Sequence, residues 1–163
     1  MIHKKRRDEL LSILGDDAVV IVSTNSEQKR NSDVNYPFRP DSNFWYLTGF
    51  IEPDAIAVFS KNNYSIFLRP KDKTQEIWNG VRLGVDLAPE TLLVDNAYDI
   101  NTFTDEIKKL ISNESPLYFD QPTSDGWKNR ASTNTLNKTI ASIFNSSIQP
   151  LNPYLSEMRI IKD

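Results

Sequence analysis

Two stretches of the chain carry residue types suited to recognising a ligand. The first, Arg30 to Phe50, reads RNSDVNYPFRPDSNFWYLTGF. It mixes Arg30, Asp33, Arg39 and Asp41 with Tyr36, Phe38, Phe44, Trp45, Tyr46 and Phe50. Phe44 and Tyr46 alternate along an expected strand and read as core, with charges pairing locally. Asp33, Tyr36 and Arg39 fall in a loop, where binding residues concentrate. The second stretch, Glu76 to Gly84, reads EIWNGVRLG. A Trp in such a Gly-bounded loop, here Trp78, either plugs a core or presents a recognition surface.

Covalent and metal chemistry has few parts to work with. The chain has no Cys, which excludes a disulfide scaffold, a Cys-ligated zinc, an iron–sulfur cluster and a thiol nucleophile. Its one His, His3, sits where chains usually fray, so a histidine triad or histidine-rich metal site is not expected. There is no phosphate-cradling Gly-rich loop, no Gly-x-Ser-x-Gly elbow and no His-Glu-x-x-His. Paired carboxylates such as Asp16 and Asp17 flank a strand start and read as a solvated turn.

At 163 residues the chain has the size of one domain with a real core. Its 19 Lys+Arg against 22 Asp+Glu leave a net charge of −3, which argues against a nucleic-acid binder. The basic run Lys4 to Arg7 reads as the solvated face of a first helix. It is followed by Asp8 and Glu9, not an apolar run, so no signal peptide is read. No apolar run approaches the ~20 residues of a membrane span, so neither a membrane nor a nucleic acid is an expected partner, and a cytoplasmic location is the default.

The elements that must position these stretches follow from periodicity. Residues 4–14 read as a helix stopped by Gly15, with Leu10, Leu11 and Leu14 on its apolar side. Ala18 to Val22 is a continuous β-branched run, as in a strand buried on both faces. Residues 24–35 read as irregular, and Phe44 to Thr48 as a strand ended by Gly49. Ala55 to Phe59 and Tyr64 to Leu68 read as a hairpin around a Lys-Asn-Asn turn, which makes the sheet mixed. Residues 70–90 read as an ordered loop with a short helical turn.

Asp99 is a plausible N-cap for a helix to about Ser112 through Ile100, Phe103, Ile107 and Leu110. Leu117 to Phe119 reads as a strand. A helix carries Leu136, Ile140, Ile143 and Phe144, and Ile148 to Leu151 reads as a last strand. The fold class is therefore α/β, a mixed β-sheet flanked by helices. The final run, Tyr154 to Asp163, places Leu155, Met158 and Ile161 on one helical side with no stop signal, as in an incomplete polypeptide.

Taken together, these segments resemble the N-terminal domain of the Xaa-Pro aminopeptidases (aminopeptidase P) in the creatinase/prolidase family. The matching residues are Arg30, Asp33 and Tyr36-Pro37 leading into Phe44 to Phe50, then Glu52-Pro53-Asp54-Ala55. Glu76-Ile77-Trp78, Arg82-Leu83-Gly84 and Ala88-Pro89-Glu90 follow, and Glu157-Met158-Arg159 with Ile160-Ile161-Lys162 resembles the entry to the linker helix. The resemblance implies a ribonuclease H-like mixed sheet over residues 1–151 and the start of a linker helix over 152–163. It implies that the catalytic domain lies further along the chain, in a pita-bread fold. There two manganese ions, held by Asp, Asp, His, Glu and Glu, would deliver a hydroxide to the scissile carbonyl.

On that resemblance this domain holds no metal and no catalytic residue. Its partners would be its own C-terminal catalytic domain, other subunits of a homo-oligomer, and peptides beginning Xaa-Pro. Trp78 would reach a neighbouring subunit's substrate pocket, and Asp33 would be a loop acid near its entrance. The family often shows Trp-Arg-Pro before the final helix. Here the segment is Leu151-Asn152-Pro153, and Asn152 lacks that charge and fork geometry. The alternative is a stand-alone α/β ligand- or protein-binding module.

Overall fold

A computed structural model describes residues 1–119, 131–144 and 148–161. The β-branched run becomes β1 (Val19–Ser23), a central strand of a six-stranded sheet. On one side it pairs antiparallel with β4 (Ile56–Ser60), then β5 (Asn63–Leu68) antiparallel and β6 (Asn96–Asp99) parallel. On the other side, β7 (Leu117–Phe119) and β8 (Ile148–Pro150) both run parallel. The expected hairpin forms, with Ser60 opposite Asn63. The sheet is mixed and flanked by helices, as the periodicity implies.

Strand alternation divides the core into two layers. Val20, Val22, Ala57, Phe59, Tyr64, Ile66 and Leu68 share one face, and Val19, Ile21, Ile56, Val58 and Phe67 the other. Helices α1 (Ile2–Leu14), α2 (Ser42–Thr48), α4 (Gly84–Leu92) and α7 (Asn152–Ile160) cover the first face through Leu10, Leu47, Ala88 and Leu155. Helices α5 (Phe103–Leu110) and α6 (Ala131–Ile143) cover the second through Ile107 and Ile140. Asp99 does act as a cap, but for a single 3₁₀ turn, Ile100–Thr102, that leads into α5.

Several expectations are corrected. Phe44 to Thr48 is α2, not a strand. Asp41 caps it by accepting from the amides of Asn43 and Phe44, and Gly49 closes it in the left-handed region at φ 71°. Residues 70–90 are not a loop but two helices, α3 (Lys73–Asn79) and α4. Residues 24–35 contain a small hairpin of β2 (Lys29–Asn31) and β3 (Val34–Asn35). In the final run Leu155 and Met158 are buried, but Ile161 follows α7 in extended backbone and is exposed. Lys162 and Asp163 lie outside the described residues.

The N-terminus also departs from expectation. His3 does not fray: its Nδ1 lies 2.9 Å from the Tyr46 carbonyl, and its ring meets Trp45 edge-on at 5.6 Å. Arg7 is buried, and Arg6 packs 4.1 Å from the Tyr46 ring centroid, so only Lys4 and Lys5 of the basic run are solvated. Among the described residues, no helix is long and apolar enough to cross a membrane.

Candidate functional site

Helix α3 belongs to neither core layer, because none of its residues is buried. Its limits are set by local chemistry. Asp72 accepts from the amides of Thr74 and Gln75, both at 3.0 Å, and Gly80 turns the chain away at φ 87°. Trp78, near its end, is 82% exposed, and Ile77 and Val81 beside it are 78% and 81% exposed. Trp78 is therefore not a core plug. Three large apolar side chains are thus presented to solvent within five positions, which makes α3 the candidate contact site of this domain.

The base of this projection is polar. Glu52 Oε1 accepts the Leu83 amide at 2.7 Å, and Glu52 Oε2 lies 3.6 Å from Arg69 Nη2. Glu76 Oε1 accepts the Arg82 amide at 3.0 Å and lies 3.7 Å from Lys71 Nζ. Arg82 Nη1 donates to the Pro70 carbonyl at 3.2 Å. In the sequence, Glu52, Glu76 and Arg82 fall within the matching segments without a role of their own, and Arg69 lies outside them. The available signal was that the Glu52 and Glu76 segments carry the resemblance together; they meet physically.

Asp33 sits elsewhere, at the exposed tip of the β2–β3 hairpin. Beside it Tyr36 is half exposed, with Arg30 6.0 Å from its ring centroid. Among the described residues no hydrogen bond or ion pair joins Asp33 to Trp78. Arg39, by contrast, lines a shallow groove of about 480 Å³ with Trp45, Ile51 and Arg159 between α2 and α7. Arg159 Nη1 donates to Asn43 Oδ1 there at 2.7 Å. Asn152, in place of the expected Arg, begins α7 and is partly buried.

A second groove, about 570 Å³, lies between α1 and the β4–β5 turn and includes Arg7 and Tyr64. The Arg7 guanidinium is 3.8 Å from the Tyr64 ring centroid. Burial lowers the Arg7 pKa and raises that of Tyr64. Both are framework groups that hold α1 to the sheet.

Among the described residues, no three His, Asp or Glu side chains come together to hold a metal ion. What the arrangement offers is a projecting indole and a separate exposed acid. These suit binding and orientation; they do not form a nucleophile–base pair.

A family model described as the aminopeptidase P N-terminal domain matches residues 3–118. The Xaa-Pro aminopeptidase of Haemophilus influenzae is 40% identical over 98% of this chain and 36% of its own length. That of Escherichia coli is 37% identical over 72% of this chain and 28% of its own. The structure of E. coli aminopeptidase P with the inhibitor Pro-Leu superposes with a TM-score of 0.87 at 28% identity, covering 99% of this chain and 39% of that one. The matches thus cover between 28% and 39% of the length of these relatives.

Proposed function

The chain belongs to the aminopeptidase P N-terminal domain family, and from that premise we propose that it is the non-catalytic domain of a metal-dependent Xaa-Pro aminopeptidase. The parent enzyme releases the first residue from peptides with Pro in second position. Its chemistry resides in a C-terminal catalytic domain. There a manganese pair supplies Lewis acidity and an activated hydroxide. The enzyme is a cytoplasmic homo-oligomer, and this domain builds subunit contacts and narrows access to a neighbouring subunit's active site.

Within that assembly Trp78 contacts substrate in trans, its indole packing against a side chain or the proline ring. A rigid aromatic with two side-chain torsions loses little freedom on binding. Asp33, at a hairpin tip, orients the substrate's ammonium or a basic group of the partner. The single observation that carries this reading is the exposure of Trp78 on a helix with no buried residue. Such a side chain contributes nothing to this domain's core.

The test compares the 163-residue chain with the full-length protein on an Xaa-Pro peptide, both with added manganese. Turnover by the full-length protein and none by the chain is expected. Metal-dependent cleavage by the chain itself would overturn the assignment.

A further inference from the structure

Helix α3 presents a problem of mechanical support. A seven-residue helix is too short to be stable in isolation. Helices of this kind are normally held by an apolar face, and α3 buries none of its residues. Its direction, and with it the reach of Trp78, must come from the segments that enter and leave it.

Those segments are cross-linked by charge. The Glu52 and Arg69 side chains are each only 17% exposed, so solvent and salt screen their contact weakly; Glu76 is 16% exposed, but its partner Lys71 is 48% exposed, and that contact is screened more. Glu52 comes from the link between α2 and β4, immediately before the buried Pro53. It ties the exit of the projection, at the Leu83 amide, to the body of the domain, and it faces Arg69 at the entry. Arg82 ties exit to entry again through the Pro70 carbonyl, and Glu76 folds the helix back on the exit at the Arg82 amide. Gly84, at φ 75°, lets entry and exit approach: a Cβ there would lie 2.5 Å from Lys71 Cγ.

We propose that this ring of Glu52, Arg69, Glu76 and Arg82 is the positioning device for Trp78, with Glu52 as its anchor. The proposal rests on Trp78 being the substrate-contacting residue. A side chain fixed beforehand binds without the cost of being ordered on contact. Glu52 touches no substrate; it acts through the helix. Its loss frees the Leu83 amide and leaves Arg69 without its carboxylate, while both core layers stay intact.

The experiment uses the full-length enzyme and four variants: Glu52→Ala, Glu52→Gln, Trp78→Ala and the Glu52→Ala/Trp78→Ala double. Steady-state kinetics on an Xaa-Pro peptide are measured together with hydrogen exchange of residues 71–84. Glu52→Ala is expected to raise KM roughly fivefold to tenfold, about the cost of ordering one side chain on binding, and to speed exchange across α3. Glu52→Gln keeps an acceptor for the Leu83 amide and should fall between Glu52→Ala and wild type. The double variant should be no worse than Trp78→Ala alone, because Glu52 acts through Trp78. Should Glu52→Ala not fold, Arg82→Ala is expected to move KM and exchange in the same directions.

Unchanged exchange across α3 in both Glu52→Ala and Arg82→Ala would overturn the proposal. So would additive effects of Glu52→Ala and Trp78→Ala on KM. A normal KM for Trp78→Ala would refute the role of Trp78 instead, and the exchange data would still decide whether the ring holds the helix.

Discussion

Arg7 Nη1 donates to the Leu47 carbonyl at 2.7 Å, so a side chain of the first helix closes the C-terminus of the second. Helix ends leave carbonyls without intrahelical partners, and they carry partial negative charge. Here Arg7 takes Leu47, while Arg6 Nη1 and His3 Nδ1 reach Tyr46 at 3.3 and 2.9 Å. Basic residues that look like a solvated face are the clasp between two helices.

Replacing Arg7 with Met is therefore expected to cost about 1.5–3 kcal/mol, the range for a hydrogen bond from a charged donor. Arg7→Lys should recover only part of this, because an ammonium lacks the planar fork that donates to Leu47 while lying over Tyr64. Thermal unfolding of the chain checks both. A substitution with no effect on the midpoint would show that the contact adds nothing to stability.

Tyr64 makes the opposite kind of prediction. Among the described residues its buried hydroxyl has no hydrogen-bond partner, and burial raises its pKa above the ordinary 10.0 against the lowering effect of Arg7. The folded chain thus keeps the phenol proton at pH values where the unfolded chain has lost it. Stability is unaffected below about pH 10 and falls as pH rises from there toward the folded-state pKa. Tyr64→Phe should weaken that alkaline decline and leave neutral stability unchanged or slightly raised, since no bond is lost. Unfolding curves at stepped alkaline pH, read beside tyrosinate absorbance, test it.

Gly49 is held at φ 71°, and a Cβ on it would lie 2.6 Å from His3 Nε2. Gly49→Ala should lose about 1 kcal/mol or more from the backbone alone. His3→Ala alone gives up the contact with the Tyr46 carbonyl, so it is the reference: against it, the Gly49→Ala/His3→Ala double variant should lose only the part due to φ. Denaturant unfolding of the three variants separates the contributions, and a double variant as stable as His3→Ala would show that the backbone term is negligible.

Strands β1, β4 and β5 were legible because they are continuous apolar runs buried almost throughout, whereas β6, Asn96–Asp99, is half-buried, carries no such run and was not expected. Phe44 to Thr48 misled because aromatic and β-branched residues favour strands. The outcome was decided instead by Asp41 as cap, Gly49 as stop, and burial of Phe44, Leu47 and Thr48 at helical spacing. Helix α3 gave no apolar period to read, because it buries nothing. Trp78 could be singled out by type and setting, but its exposure could not be read from sequence. The contact between Glu52 and Leu83 joins residues 31 apart and exists only once the body of the domain is assembled.

The central claim is that Trp78 serves an active site belonging to another subunit. Full-length Trp78→Ala can be coexpressed with a full-length variant that has lost its catalytic-domain metal ligands but keeps Trp78. The account predicts that mixed oligomers turn over an Xaa-Pro peptide faster than the two homo-oligomers combined in the same ratio. The intact Trp78 of one subunit then completes the intact metal site of the other. Turnover equal to the weighted sum of the two parents, with Trp78→Ala impaired on its own, would contradict it and place Trp78 at its own subunit's site.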